Sequence, residues 1–270
     1  MAKRHLKYLI PMVFVACVSL ACSSSPTGRS QMILKSDEEL AVESARQFAE
    51  MKSNMPLETD RTKIDYIHCV ANAVVMELEP EYRDLNWEMA IFQVDAVNAF
   101  AMPGGKIGVM TGLLKAAKNQ DQVAAVIGHE IAHVTARHAN ERASRGSFSN
   151  VGVQVAAVLL GGGHQGATYS AYEALQAGAS LGIMLPFSRS QESEADVIGL
   201  TYMARAGFDP RESVPLWQNM EGEADEAPAE ILSTHPSSDT RIDQLVGEFG
   251  PALKIYNEAK EAGRNPNCTL

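Results

Sequence analysis

Gly128-His129-Glu130-Ile131-Ala132-His133 places an H-E-x-x-H pattern inside an apolar run. At about 100° per residue, two residues four apart lie roughly 40° apart on one helix face. His129 and His133 can therefore turn both imidazoles toward one ion, at the ~2.0–2.1 Å that Zn2+ takes from nitrogen. Glu130 follows the first histidine on an adjoining face. From there it can take a proton from an attacking water without displacing a ligand. Three fixed positions in five recur by chance, so the setting decides. Val123, Ala124, Val126, Ile127, Ile131 and Val134 surround the pattern, and polar side chains on such a buried helix are costly without partners. The reading is one Zn2+ per chain, held by His129 and His133, with Glu130 as catalytic base.

A catalytic zinc needs a third protein ligand and one open position. Ser188-Arg189-Ser190-Gln191-Glu192-Ser193-Glu194-Ala195-Asp196 offers carboxylates. Glu192 and Asp196 are one turn apart and share a face, whereas Glu194 is about 200° from Glu192. Glu192 as a ligand and Asp196 as hydrogen-bond acceptor for a ligand histidine form a coherent pair. Gly199, one turn further on, would allow close approach to the histidine helix. A solvated helix start, capped by Ser188 and favoured by early acidic residues, explains the same spacing equally well.

The paired segments Gly-His-Glu-Ile-Ala-His and Ser-Arg-Ser-Gln-Glu-Ser-Glu-Ala-Asp together resemble the HtpX/BepA/LoiP group of zinc metallopeptidases, relatives of the CAAX prenyl endopeptidases. The resemblance extends to Asn98-Ala-Phe-Ala-Met-Pro-Gly-Gly105 and Thr234-His-Pro-Ser-Ser-Asp-Thr-Arg-Ile242, and so spans roughly residues 36–247. It implies Glu192 as third ligand. It also implies that His235 and Arg241 lie on the substrate side, His235 stabilising an oxyanion or covering the zinc at rest and Arg241 orienting substrate or a site carboxylate, with Asn98 and Phe100 beside them. The fold it implies is α+β: a mainly helical zincin-type (gluzincin) domain with a small antiparallel sheet beside the H-E-x-x-H helix. With neither transmembrane helices nor a repeat array read in the sequence, the single-domain LoiP-type lipoprotein branch is the nearest analogue.

Among the other histidines, His138 is about 140° round the helix from His133, which argues against a ligand role. His68 reads as structural, His5 lies in the leader, and His164 sits in a glycine-rich stretch.

These groups must be positioned by elements that the pattern also predicts. Apolar spacing predicts helices over about 36–51, 60–78, 121–142 and 188–206, and two short ones over about 237–247 and 252–262. Residues 86–95 read as a strand. Residues 97–111, interrupted by Met102-Pro-Gly-Gly105, read as a hairpin, against which an extended substrate could add a strand.

The whole chain has 270 residues, 46% hydrophobic and 21% charged, with 33 acidic against 23 basic residues. That composition suits one folded domain and excludes wholesale disorder. The net charge of −10 gives no electrostatic reason to bind nucleic acid. Lys3, Arg4 and Lys7 precede an apolar run ending at Ala21-Cys22-Ser-Ser-Ser. This reads as a lipoprotein signal over residues 1–21, lipid on Cys22, a flexible tether over 22–36, and a metallopeptidase domain over 37–270. Cys17 is the alternative lipid site. By resemblance to enterobacterial lipoproteins, Ser23 directs the chain to the outer membrane, facing the periplasm. Cys69 and Cys268 then remain as two thiols in an oxidising compartment, which suggests one disulfide; two unpaired thiols are the other possibility. The expected function is endopeptidase cleavage of unfolded or misfolded envelope proteins, with an outer-membrane protein or a second protease as partner. The alternative is a chaperone-like assembly factor for outer-membrane proteins, with a mostly closed zinc site.

Overall fold

A computed structural model describes residues 22–145, 187–222, 231, 235 and 240–270. The expected leader, the glycine-rich stretch with His164 and most of the acidic segment after 222 lie outside the described residues. Two compact units divide them: 22–36 with 139–145, and 37–138 with 187–270.

In the first unit, β1 (Cys22–Ser24) pairs antiparallel with β2 (Ser30–Met32). Gly28, at φ 87°, makes the turn between them. Arg29 forms a two-pronged ion pair with the buried Glu141, at 2.9 and 2.7 Å. Part of the expected tether is thus a fixed hairpin.

The second unit carries α1 (Asp37–Asn54), α2 (Arg61–Val75), α3 (Pro80–Arg83), β3 (Glu88–Phe92), β4 (Ala99–Met102), β5 (Lys106–Met110), α4 (Leu113–Ala116) and α5 (Gln120–Thr135). After residue 187 follow α6 (Arg189–Arg205), a 3-10 turn at Pro210–Glu212, α7 (Ser213–Gly222) and α8 (Arg241–Glu261). The fold is therefore mainly helical with small sheets, as expected. The sheet itself is mixed. β4 and β5 form the anticipated antiparallel hairpin, but β3 lies on the other side of β5 and runs parallel to it. The chain between β3 and β4 crosses to the far edge instead of turning back, so β3 meets β5 in parallel.

α5 is buried on every face from Gln122 to Thr135, as a helix apolar all round must be. It packs between α6, α2, α7 and β4. Ile127 and Ile131 are fully covered, with Ile67, Val70 and Val74 of α2, Met203 of α6 and Val109 of β5 in the same core. Each such side chain contributes about 1.5–3 kcal/mol by leaving water. Asn119 caps α5 through the Gln122 amide. Ser188 and Gln191 close a reciprocal cap on α6. The N-terminal start of each site helix is thus specified locally.

Cys69 of α2 is bonded to Cys268, with Cα atoms 5.7 Å apart. Gln120, the first residue of α5, holds the same tail through the Cys268 amide and the Pro266 carbonyl. The C-terminal tail is thereby fastened to the start of the histidine helix.

Candidate metal centre

The two site helices meet at glycines. A Cβ placed on Gly199 would stand 2.8 Å from the backbone nitrogen of His129. This contact brings the carboxylates of α6 level with the histidines of α5. His129, His133, Glu192 and His235 each present one ligand atom, all within 4.8 Å of one another, and all four side chains are buried.

The separations inside this group are informative. His129 Nε2 is 3.0 Å from His133 Nε2 and 3.3 Å from His235 Nδ1. Glu192 lies 3.4 Å from His129 Nε2, 3.5 Å from His133 Nε2 and 3.1 Å from His235 Nδ1. Two atoms bound to one tetrahedral zinc at ~2.0–2.1 Å stand about 3.3–3.4 Å apart. The donor set and its spacing fit a bound divalent ion.

The groups around it prepare those atoms. His129 Nδ1 is 2.9 Å from Asp196 Oδ1. A carboxylate only accepts, so the Nδ1–H donates and Nε2 keeps a lone pair for the ligand group. In the metal-free protein burial alone would lower the His129 pKa, but Asp196 and Glu192 carry it up to about 9, so an ion binding at neutral pH takes the place of a proton on Nε2. Burial would likewise raise Glu192, yet its bonds to His129 and His235 hold it below the usual carboxylate range. Desolvation pushes the carboxyl of Glu130 up, against the pull of His235 and His129.

The sequence-derived residues fall into place unevenly. His129, His133, Glu192 and His235 come together, with Glu130 Oε1 3.4 Å from His235 Nε2. Arg241 serves the carboxylates: its Nη2 donates to Asp196 at 2.7 Å and to Glu192 at 3.4 Å, and its guanidinium lies 3.5 Å over the Trp217 ring. Phe100 does not join the centre. Alternate residues of a strand face opposite ways, so Ala99 and Ala101 turn toward the main core while Phe100 lies across Gly108 and packs with Phe48 and Phe92. Asn98 is buried at the start of β4; its Oδ1 has no hydrogen-bond partner among the described residues.

Two residues were missed. His138 Nδ1 is 2.8 Å from His133 Nδ1, and its Nε2 is 3.0 Å from Glu194 Oε2. The wheel that turned His138 away assumed an unbroken helix. The helix breaks at 136–137, where Arg137 takes φ 56° and sends the chain back. Phe187, stacked on the His133 ring at 3.8 Å, carried no signal in the sequence.

A buried three-histidine, one-carboxylate group that includes both histidines of an H-E-x-x-H helix defines a metallopeptidase-type centre. The model of "Peptidase family M48" matches residues 62–248. The chain belongs to that family. It is 38% identical to the mitochondrial metalloendopeptidase OMA1 of Schizosaccharomyces pombe, over 66% of this chain and 51% of the relative. It is 37% identical to the protein of the same name from Arabidopsis thaliana, over 72% and 37%. It is 31% identical to the beta-barrel assembly-enhancing protease of Yersinia pestis, over 72% and 40%. The chain thus spans about half the length of these relatives or less.

Proposed function

We propose that this chain is a zinc-dependent endopeptidase that cuts unfolded or misfolded proteins of the bacterial envelope. The observation that carries the reading is the buried group of His129, His133, Glu192 and His235 beside Glu130. When bound, zinc supplies a Lewis acid that polarises the scissile carbonyl and makes water more acidic.

The chain's own groups perform the rest. Glu130 takes a proton from the attacking water and hands it to the amine nitrogen as the C–N bond breaks. Its desolvated setting, which raises its pKa, makes it a stronger base. Substrate lies extended along β4. The Met110 amide donates to the Asn98 carbonyl, so Phe100 and Met102 share that hydrogen-bonding parity and Ala99 and Ala101 point their polar groups out of the sheet. β4 packs against α5, the helix that carries Glu130. Asp196 and Arg241 hold His129 and Glu192 in position.

His235 supports a second reading. Its Nδ1 sits among the ligand atoms while its Nε2 faces Glu130. There it stands between the base and the ligand group, which suits a resting, closed site. A chaperone-like assembly factor with such a site is the alternative function. The relative named for β-barrel assembly enhancement supports an envelope setting for either. The N-terminal pattern supports lipid on Cys22 and an outer-membrane location of the LoiP type, with an outer-membrane protein or a second protease as partner. Among the described residues no helix is long and apolar enough to cross a membrane.

The test is cleavage of unfolded casein by the whole chain. Cleavage that a chelator stops and zinc restores is the expected result. No cleavage by zinc-loaded protein would favour the assembly-factor reading.

A further inference from the structure

Asp196 accounts for the orientation of only one of the two helix histidines. His133 has its own partner, reached by a longer route. Its Nδ1 is 2.8 Å from His138 Nδ1, and His138 Nε2 is 3.0 Å from Glu194 Oε2. His138 is fully buried and Glu194 is 5% exposed.

Hydrogen-bond chemistry gives this chain of contacts a direction. An ionised carboxylate only accepts, so His138 must donate from Nε2. A neutral imidazole that donates from Nε2 accepts at Nδ1. His133 must then donate from its Nδ1, which leaves its Nε2 as a lone pair. That Nε2 is the atom lying 3.0 Å from His129 Nε2 and 3.5 Å from Glu192. Reversing any one bond would put a proton where the ligand group needs a lone pair.

We propose that His138 and Glu194 are positioning residues that fix the tautomer and ring orientation of His133 for metal binding. They act as the counterpart of Asp196 on His129. One turn of α6 would then serve the whole centre: Glu192 as ligand, Glu194 toward His133 through His138, and Asp196 toward His129. The break at Arg137 is what allows His138 to fold back as the intermediate link.

This inference rests on the metal-site reading, and the experiment keeps the two apart. Zinc affinity is measured by competition with a chromophoric chelator for the wild type, His129→Ala, His138→Ala and Glu194→Gln. The melting temperature of each metal-free protein is recorded beside it. Wild-type binding that His129→Ala abolishes establishes the metal site. His138→Ala should then bind zinc about 10- to 100-fold more weakly. The isosteric Glu194→Gln, whose amide oxygen still accepts from His138, should show a smaller loss. With Co2+ in place of zinc, the visible bands of both variants should shift, because a reoriented His133 changes the ligand field. Wild-type affinity and bands in both variants would overturn the relay while leaving the metal site intact. Affinity lost only in step with metal-free stability, with unchanged cobalt bands, would also overturn it and reduce the pair to helix packing.

Discussion

Gly128 and Gly199 face each other across the contact of α5 and α6. A Cβ on Gly128 would come within 2.9 Å of the Gly199 carbonyl oxygen, and a Cβ on Gly199 within 2.8 Å of the His129 nitrogen. All these neighbours are backbone atoms of buried helices, which cannot swing aside.

Gly199→Ala should therefore destabilise the fold despite the better helix propensity of alanine, worth only about 1 kcal/mol. Overpacking of this kind costs about 1–3 kcal/mol. Because the shift separates the histidines from Glu192, zinc affinity should fall as well. Thermal melting and zinc titration check both effects; an alanine variant as stable and as tight-binding as the wild type would show that the helices have room.

Removing a ligand should remove the metal. His129→Ala, His133→Ala and Glu192→Ala are each expected to lose bound zinc by elemental analysis. A chelator should also lower the melting temperature of the wild type, because a ligand that binds only the folded state stabilises it. Zinc retained in Glu192→Ala would displace that residue from the centre.

The parts of this architecture readable in the sequence are those set by short spacing. The pair His129 and His133, the pair Glu192 and Asp196, and the Ser188 cap each depend on one turn of helix. The sequence predicts two C-terminal helices, over about 237–247 and 252–262, and proline ordinarily ends a helix by clashing with the carbonyl four residues back. Here Arg241–Glu261 is continuous through Pro251. The residue four back is Gly247, whose backbone has no side chain to constrain it. Pairing of β3 with β5, and the return of His138 to His133, depend on where a crossover and a single left-handed residue send the chain. No local pattern encodes either.

The Cys69–Cys268 bond closes a loop over a separation of 199 residues. In the chain-entropy view such a closure is worth ~5 kcal/mol. Cys268→Ala should lower the unfolding free energy by that order, measured by denaturant titration, and loosen the tail that Gln120 holds. An unchanged midpoint would show that the packed tail suffices.

Glu58 gives a pH dependence. Its carboxylate accepts from the amides of Asp60 and Thr59 and from Lys63, at 3.0, 2.8 and 3.0 Å. These bonds, with Asp60 foremost, lower its pKa to about 2. A carboxylate depressed in the folded state contributes stability that is full above its unfolded value of ~4.3 and is lost as pH falls toward 2. Metal-free Glu58→Gln should therefore be less stable than metal-free wild type at neutral pH. The gap should close between about pH 4.3 and 2; a gap independent of pH would refute the assignment.

The most direct measurement concerns Glu130→Gln, which keeps the shape of the side chain and removes its basicity. Zinc content, melting temperature and casein cleavage are measured on one preparation of the variant and of the wild type. The expected result is full zinc, unchanged folding and cleavage slowed by about 10²–10⁴-fold. Loss of zinc would make Glu130 structural, and full activity with zinc retained would contradict its role as the base and require another group to take the proton.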